Sequence, residues 1–454
     1  MIASRTIGRA AIGRAAIGRA AIGRAAIGRA AIGRAATGRA AICALVALAV
    51  MPSVVQAAPI VAQAAPMVHT EIGETRACLP VPGGALVGTA GGLVWLDERG
   101  QVRAVWTASD GLPGTRIEMI AKVGDEIWVG ADSGAARVTL GDQLTIGRAA
   151  IEARYAGHPV RDVLRVGAVT YVATWGGGVR RIAARPIAAR PIAGPIDSTA
   201  VPYAVASRKK QRLNVLSLAR HGDVVYAGTA DGLFRIANGK LEAVPLAAGP
   251  AIANAARPIS ALFSDGATLW VGTPAGLYAR EAKTTRHLGG GDIRRIMKLD
   301  GALVVASVGD GLARIDRSRF AALEGAPRGF SMAQTIAEAN GVVCAGGLDG
   351  TWLRPRGGSW VAANTHGNRP PSNDISALAH DGERLWVGTF DRGLAVFDHG
   401  AWRTIAADKV DARINALHVD RQSKRVWAAT ASGLYSIDPS TGNVARFEIG
   451  RAHV

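Results

Sequence analysis

Short apolar runs, each followed by a glycine-containing turn, recur along the chain from near residue 85 to its end. The clearest copy is Leu385-Trp386-Val387-Gly388-Thr389, which is followed by Asp391-Arg392-Gly393-Leu394. Aromatic and β-branched residues favour strands, and a glycine between two such runs favours a hairpin turn. The pattern therefore predicts a strand, a turn and a second strand in each copy.

Nine copies of this core occur at regular intervals. Their small third residues stand 34 to 55 positions apart and are Gly88, Gly130, Ala173, Gly228, Gly272, Ala306, Ala345, Gly388 and Ala429. A repeat of about 40 residues built from short strands is the signature of propeller blades. We expect the small residue to let neighbouring sheets approach closely, and a later glycine in each copy to adopt positive φ at the turn.

Each copy holds further strands on both sides of its core. Upstream lies a run such as Ile375-Ser376-Ala377-Leu378, and residues 394–397 and 402–405 follow downstream in the eighth copy. Four antiparallel strands make one blade, whose two apolar faces are covered by neighbouring blades. We predict an all-β β-propeller of nine units, either a single large ring or a seven-bladed ring plus the start of a second. Residues 67–74 are expected to supply a ring-closing strand for the last blade.

Two stretches carry a resemblance to a known family. Asp110-Gly111-Leu112-Pro113 precedes Ile117, Ile120 and Ile127-Trp128-Val129-Gly130, and residues 375–394 have a similar order. This pattern resembles the two-component regulator propeller repeat, and the similarity covers roughly residues 74–449. The resemblance implies an extracytoplasmic propeller that senses a ligand or binds a partner. Many such proteins carry a membrane span and a histidine kinase downstream; this sequence contains neither, so the kinase role is not carried over.

Residues 1–57 predict an export signal behind a low-complexity tract. Residues 7–41 repeat Ile-Gly-Arg-Ala-Ala almost without change, and an uncharged apolar run extends from Ala40 to Met51. Such a run is short for a bilayer span but suits the core of a signal peptide. Small residues at the end of the segment predict cleavage near Ala57. We therefore expect a bacterial protein that is periplasmic or secreted, with no membrane span in the mature chain.

The remaining boundaries follow from the repeats. Residues 58–73 are expected to be a linker, and the propeller is expected to span residues 74–449. Residues 182–211 separate copies three and four, and their prolines predict a surface loop. We expect residues 450–454 to be a non-native tail, because one codon choice for residues 448–454 matches a common sequencing adapter.

The formal net charge of +18 is dominated by the N-terminus. Residues 1–57 hold eight arginines and no acidic residue, and subtracting these eight charges leaves +10 for the rest of the chain. That charge is spread out, whereas nucleic-acid binders concentrate basic residues on one face, so we expect no nucleic-acid partner. Besides Cys43 in the expected signal, Cys78 and Cys344 are interpreted as single buried thiols, with a disulfide between them left open.

Candidate chemistry is sparse. The nine histidines lack metal-binding spacing, and the glycines match blade turns instead of a phosphate loop or a nucleophile elbow. We therefore expect no catalytic residue, no metal and no cofactor. Most tryptophans recur in phase with the blades and are assigned to the core, whereas Trp175 and Trp352 fall outside that position and are speculative contacts on a ligand-binding face.

Two classes of function fit these observations. The first is a non-catalytic ligand-sensing or interaction module whose partner is a protein or a glycan. The alternative is a lyase or hydrolase with its site at the central channel. An enzyme is expected to carry polar residues at equivalent inner-strand positions of several adjacent blades, whereas a binding module needs only divergent loops.

Overall fold

The computed structural model describes residues 69–140, 151–183, 201–202, 204–205, 213–246, 257–282, 284–316, 319–327, 330–363, 365, 367–406 and 408–447. These residues belong to one compact unit, Met67–Val454. The expected signal segment 1–57 with Cys43, the tail 450–454 and most of the insertion lie outside the described residues.

The described strands form nine sheets, each built on four antiparallel strands from one repeat unit, and one of the sheets has a fifth strand. Blade 1 comprises β1 (Thr75–Val81), β2 (Gly84–Thr89), β3 (Gly92–Asp97) and β4 (Val102–Trp106). Blade 2 comprises β5 (Ile117–Val123), β6 (Glu126–Ala131), β7 (Gly134–Val138) and β8 (Ile151–Ala156). Blade 3 comprises β9 (Val160–Val166), β10 (Val169–Thr174), β11 (Gly178–Ala183) and β12 (Val201–Pro202). A single 3₁₀ turn, Ala108–Asp110, joins blades 1 and 2.

The next three blades repeat this order. Blade 4 comprises β14 (Val215–His221), β15 (Val224–Thr229), β16 (Gly232–Ala237) and β17 (Lys240–Val244), and β13 (Ala204–Val205) pairs with β17 in parallel. Blade 5 comprises β18 (Ala261–Ser264), β19 (Leu269–Thr273), β20 (Gly276–Glu281) and β21 (Thr284–Gly289). Blade 6 comprises β22 (Asp292–Leu299), β23 (Ala302–Val308), β24 (Gly311–Asp316) and β25 (Arg319–Ala322).

The last three blades complete the described chain. Blade 7 comprises β26 (Ala333–Ala339), β27 (Val342–Gly347), β28 (Gly350–Arg354) and β29 (Val361–Ala362). Blade 8 comprises β30 (Ile375–His380), β31 (Leu385–Thr389), β32 (Leu394–Asp398) and β33 (Ala401–Ile405). Blade 9 comprises β34 (Ile414–Asp420), β35 (Arg425–Thr430), β36 (Gly433–Ile437) and β37 (Val444–Phe447). This architecture confirms the predicted all-β propeller with nine four-stranded units.

A threonine at the end of the second strand fixes the turn that follows it. In blade 5, Thr273 Oγ1 donates to the carbonyl of Gly276 at 2.9 Å and accepts from the N–H of Ala275 at 3.1 Å. The same donation to a glycine carbonyl occurs at Thr89, Thr174, Thr229, Thr389 and Thr430. Gly276 has φ of 113°, so the predicted role of the turn glycine is confirmed.

The small third residue sets the spacing between blades. A Cβ atom added to Gly272 would lie 2.7 Å from Cγ2 of Ile293, which stands near the start of the next blade. Gly88 has the same relation to Ile117, at 2.6 Å. The predicted close approach of neighbouring sheets is therefore confirmed, because a side chain at these positions would collide with the next blade.

The ring closes after seven blades, which is the second of the two predicted arrangements. The first strands β1, β5, β9, β14, β18, β22 and β26 contact one another in succession, and β26 contacts β1. The Sγ atom of Cys78 donates to the carbonyl of Cys344 at 3.0 Å, and the hydroxyls of Thr75 and Thr351 share a hydrogen bond. Cys78 and Cys344 are buried free thiols, as expected.

Blades 8 and 9 pack against each other and do not take part in this closure. A Cβ on Gly388 would lie 2.5 Å from Cγ2 of Ile414, which is the ordinary contact between blades. On the opposite face of blade 8, Ile375 and Leu378 are exposed, whereas the equivalent Ile117 of blade 2 is fully buried. The pair therefore has the form of two propeller blades outside the seven-bladed ring.

Three expectations need correction. The described residues 69–74 form no strand, and the ring closes by packing between whole sheets instead of by a strand from this segment. The insertion is not loop throughout, since β12 completes blade 3 and β13 adds to blade 4. In copy seven, Gly346 and not Ala345 occupies the third position, because Gly346 pairs with Thr335 as Gly88 pairs with Ala77.

Candidate ligand site on the upper face of the ring

The upper face is the end of the ring at which first strands begin and second strands end. Each first strand of blades 1 to 3 has an irregularity near its start that leaves one residue outside the regular pairing. The unpaired residues are Arg76, Glu118 and Arg161. Because first strands are innermost, the irregularities bring these three charged side chains together at the mouth of the central channel.

Three arginines surround the carboxylate of Glu118, and we call this group the arginine cluster. Arg161 Nη1 lies 2.6 Å and Arg76 Nη1 3.4 Å from Glu118 Oε2, while Arg116 Nε lies 3.0 Å from Oε1. The Glu118 side chain is 4% exposed. Arg76 also pairs with Glu74, so three guanidinium groups meet two carboxylates and one positive charge is left over. Partial burial lowers the pKa of Arg161, an effect that Arg76 and Arg116 reinforce and Glu118 opposes.

Trp175 adjoins this cluster on the turn between β10 and β11. Its backbone N–H donates to the carbonyl of Pro159 at 2.9 Å, which holds the turn beside the start of β9. The guanidinium carbon of Arg161 lies 5.6 Å from the centre of the Trp175 ring, within cation–π range. The side chain is 41% exposed, so the predicted contact residue lies on the surface of the upper face.

A cavity of about 530 Å³ opens on the other side of the cluster. Its lining consists of His69, Thr70, Ala90, Thr107, Ser109, Thr115, Arg116, Asp132, Asn373 and Asp374. Hydroxyl, amide, carboxylate and guanidinium groups predominate in this lining, and the volume lies within the range of small-molecule sites, about 300–1,000 Å³. Arg116 belongs to both the cavity and the arginine cluster, so the two features adjoin at this residue.

The segment before blade 1 and the segment before blade 8 build one wall of the cavity together. The Thr70 hydroxyl and the Glu71 N–H both donate to Asn373 Oδ1, at 2.9 and 2.8 Å, and Asn373 Nδ2 donates to the Glu71 carbonyl at 2.9 Å. The imidazole of His69 packs on Phe397 with ring centres 4.8 Å apart. These contacts attach blade 8 to the ring and fix the shape of the cavity.

Asp162 follows Arg161 and is the second carboxylate near the channel. Its Oδ1 accepts from the N–H of Val163 at 2.9 Å, and its Oδ2 accepts from the N–H of Leu218 in blade 4 at 2.8 Å. Burial raises the pKa of Asp162, while the charge of Arg295 from blade 6 and these two amides partly oppose the rise. The carboxyl group therefore links blades 3 and 4.

The second tryptophan singled out from the sequence has a different setting. Trp352 lies on β28, the third strand of blade 7, where it pairs with Ala345 and Ala362. It is half-buried and packs against the cluster that contains Leu312 and Ile336. Trp175 thus lies on a turn of blade 3, whereas Trp352 lies within a strand of blade 7.

Sequence reasoning missed the arginine cluster although a signal was present. When the first strands are aligned on their opening residue, the next position holds Arg76, Glu118 and Arg161 in three consecutive copies, against Ser376 and Asn415 in the last two. Metal and catalytic motifs consist of histidine, cysteine and acidic groups, so they do not include this basic set. The second part of the site, the cavity, depends on contacts about 300 residues apart in sequence and has no local signature.

Two further observations bear on chemistry. Within the described ranges, no group of three or more His, Cys, Asp or Glu side chains is placed to hold a metal ion. The same residues contain no helix that is long and apolar enough to cross a membrane.

Comparison with known proteins places the chain in the β-propeller class. No protein-family model and no curated protein matches the sequence. Among solved structures, the chain is similar to the extracellular domain of the hybrid two-component system BT4673 from B. thetaiotaomicron, at 16% identity and a TM-score of 0.47, covering 84% of this chain and 53% of that one. The chain therefore spans about half the length of that domain.

Two other similar structures come from proteins with different roles. PorZ, a surface component of the type-IX secretion system of Porphyromonas gingivalis, is 14% identical with a TM-score of 0.50, covering 84% of this chain and 60% of that one. An ancestral GH74 enzyme is 14% identical with a TM-score of 0.55, covering 85% and 63%. At this identity the likeness concerns the fold alone, which hosts binding proteins and enzymes alike.

Proposed function

We propose that this chain is a non-catalytic, exported β-propeller that binds a ligand on the upper face of its seven-bladed ring. The observation that carries the proposal is the exposed Trp175 ring beside Arg161, next to a polar cavity. An exposed aromatic ring and preformed charged groups around a concave surface are the usual features of a recognition site. Export after cleavage near Ala57, and a location in the periplasm or outside the cell, belong to the same proposal.

Sensing and interaction both fit this site. A ligand that fills the cavity would contact Thr70 and Asn373, which join the ring to blade 8. Binding would therefore stabilise the contact between the ring and the last two blades. This coupling supports a ligand-sensing or interaction role for a protein or glycan partner.

A glycan array and a pull-down with the full chain and its Trp175→Ala variant test the proposal. Loss of the exposed ring should weaken capture by about fivefold or more, since truncation of an aromatic anchor in a recognition site costs more than about 1 kcal/mol. Leu348→Ala is the matched control, because Leu348 is exposed at the same turn position of blade 7. Equal capture by wild type and Trp175→Ala, with thermal stability unchanged, would place the binding surface elsewhere.

An enzyme with its site at the central channel is the second candidate. It is favoured by one observation, which is that charged residues stand at equivalent inner-strand positions of blades 1 to 3. The geometry supports it less well, because the carboxylate of Glu118 is neutralised by arginines and Asp162 is engaged by two backbone amides. Turnover of a captured glycan that disappears in Glu118→Gln would favour this candidate over binding.

A further inference from the structure

The arginine cluster has more positive charge than its carboxylates neutralise. Arg76, Arg116 and Arg161 face Glu118 and Glu74, and the side chain of Arg161 is 27% exposed. Among the described residues, the Nε atoms of Arg76 and Arg161 are buried and have no hydrogen-bond partner. Neighbouring guanidinium groups repel one another, and an anion bound between them would reduce this repulsion. An anion at the mouth of the central channel is therefore attracted by guanidinium groups that are already held in position.

The surroundings of the cluster restrict the kind of anion. Trp175 offers an exposed ring surface beside Arg161. The cavity next to Arg116 is lined by threonine hydroxyls and by the carboxylates of Asp132 and Asp374, so it suits the hydroxyl groups of a neutral sugar, and the acidic group of the ligand belongs at Arg161. A sugar ring has an apolar face that packs on indole, and hydroxyl groups that bond to such a lining. A planar carboxylate matches the donor geometry of a guanidinium group.

Resting on the proposed function, we infer that the ligand of the upper face is a carboxylate-bearing saccharide, such as an oligosaccharide that contains uronic acid. The acidic sugar ring packs on Trp175 with its carboxylate against Arg161, and a neighbouring sugar occupies the cavity beside Arg116. Specificity for the acidic form arises because a carboxylate, unlike the neutral CH₂OH group of the reduced sugar, supplies the missing negative charge.

Isothermal titration calorimetry, which measures the affinity of the full chain for each member of a panel of oligouronides, tests this inference. Each oligouronide is compared with its carboxyl-reduced counterpart, which has the same linkages but a neutral CH₂OH group. At least one acidic ligand should bind about tenfold to a hundredfold more tightly than its reduced form, as expected for a charge-assisted contact. The difference should shrink as salt is raised.

Substitutions separate the contribution of the Arg161 charge to binding from that of the Trp175 ring. Arg161→Met should remove the preference for the acidic form, Arg161→Lys should retain part of it, and Trp175→Ala should weaken both forms. Arg235→Met is the matched control, since Arg235 forms an exposed ion pair with Glu242 in blade 4. Circular dichroism confirms that each variant is folded before titration.

The outcomes distinguish the inferred ligand class from the proposed binding site. Equal binding of acidic and reduced forms, with loss in Trp175→Ala, would overturn the acidic ligand class and leave the site in place. Tighter binding of a sulfated saccharide than of every oligouronide would also overturn that class. Failure of the whole panel would overturn the inference, and tight acidic binding that Trp175→Ala and Arg161→Met both leave unchanged would contradict the proposed site itself.

Discussion

Asp381 and Trp386 show how single residues stabilise a blade. Asp381 Oδ2 accepts from the indole N–H of Trp386 at 3.0 Å, and Oδ1 accepts from the N–H of Arg384 at 2.8 Å. Asp265 and Trp270 form the same pair in blade 5, at 2.9 Å. The turn aspartate therefore orders its own hairpin and also satisfies the polar atom of a core tryptophan.

This pair predicts acid sensitivity. Burial alone would raise the pKa of Asp381, but the indole of Trp386 and the amides of Arg384 and Glu383 together hold it well below its ordinary range. The folded pKa is thus lower than the unfolded value of about 3.9, so the carboxylate stabilises the fold above about pH 4, and this contribution is lost as the pH falls. At pH 7, Asp381→Asn should lower the free energy of unfolding by about 1–2 kcal/mol.

Urea denaturation followed by tryptophan fluorescence at pH 7, 4 and 3 measures this effect. The gap between wild type and Asp381→Asn should narrow as the pH falls, because below about pH 4 the Asp381 carboxyl of the unfolded chain takes up a proton while that of the folded protein stays charged, which stabilises the unfolded state. Asp223→Asn serves as the control, since the Asp223 side chain is 99% exposed and should change little. A gap that stays constant across the three pH values would disagree with the assigned role.

Contacts between blades follow a size rule that is visible within the chain itself. Glycine at the third position faces a β-branched residue, as in Gly272 with Ile293 and Gly130 with Val160, whereas Ala306 lies in one cluster with the smaller Ala333. The side chains at the two positions therefore fill one fixed space between neighbouring blades, and a larger residue at one position requires a smaller residue at the other.

A double-mutant cycle tests this rule. Gly272→Ala should destabilise the protein by about 1–3 kcal/mol, because its Cβ would collide with Ile293. In the background of Ile293→Ala the same substitution should cost much less, since the pair then matches Ala306 and Ala333. Gly367→Ala is a neutral control, because its added Cβ would meet only Arg369 Nε at 3.9 Å. Equal costs in both backgrounds would contradict the shared volume.

The blade could be predicted from sequence because its signals are local. The threonine, the turn glycine and the third-position glycine each act within a hairpin or on the adjacent blade, so they recur at blade spacing. Copy seven was displaced by one residue because Ala345 and Gly346 are both small and only strand pairing distinguishes them. The two short strands in the insertion were missed because prolines and a short length conceal pairing that neighbouring sheets impose.

At the scale of the whole molecule, ring closure is the feature that sequence left open. Closure brings the thiol of Cys78 within hydrogen-bond distance of the carbonyl of Cys344, which lies 266 residues later in the chain. No local pattern in the sequence distinguishes blade 7 from blade 9 as the partner of blade 1. The upper-face site also needs several blades, because Arg76 of blade 1 and Arg161 of blade 3 both reach Glu118 of blade 2. Trp175 could be proposed as a ligand contact from its position in the repeat. The arginine cluster and the cavity could not, because they form only where separate blades pack together.

Closure by blade 7 makes Cys78 a reporter of the ring. The thiol lies under β26 and β27, and burial, together with the neighbouring Cys78 thiol, raises the pKa of Cys344 well above its usual value. Buried thiols of this kind resist alkylation until the protein unfolds.

The most direct measurement is the alkylation of Cys78, followed by mass spectrometry, in the full chain and in a chain that ends at residue 365. The seven-bladed closure predicts that Cys78 stays unmodified in both native proteins and reacts in urea. A third chain that ends at residue 326 lacks blade 7 and should expose Cys78 without denaturant. Rapid alkylation of Cys78 in the chain that ends at residue 365, with its strand content retained, would contradict closure by blade 7 and indicate that blades 8 and 9 complete the ring.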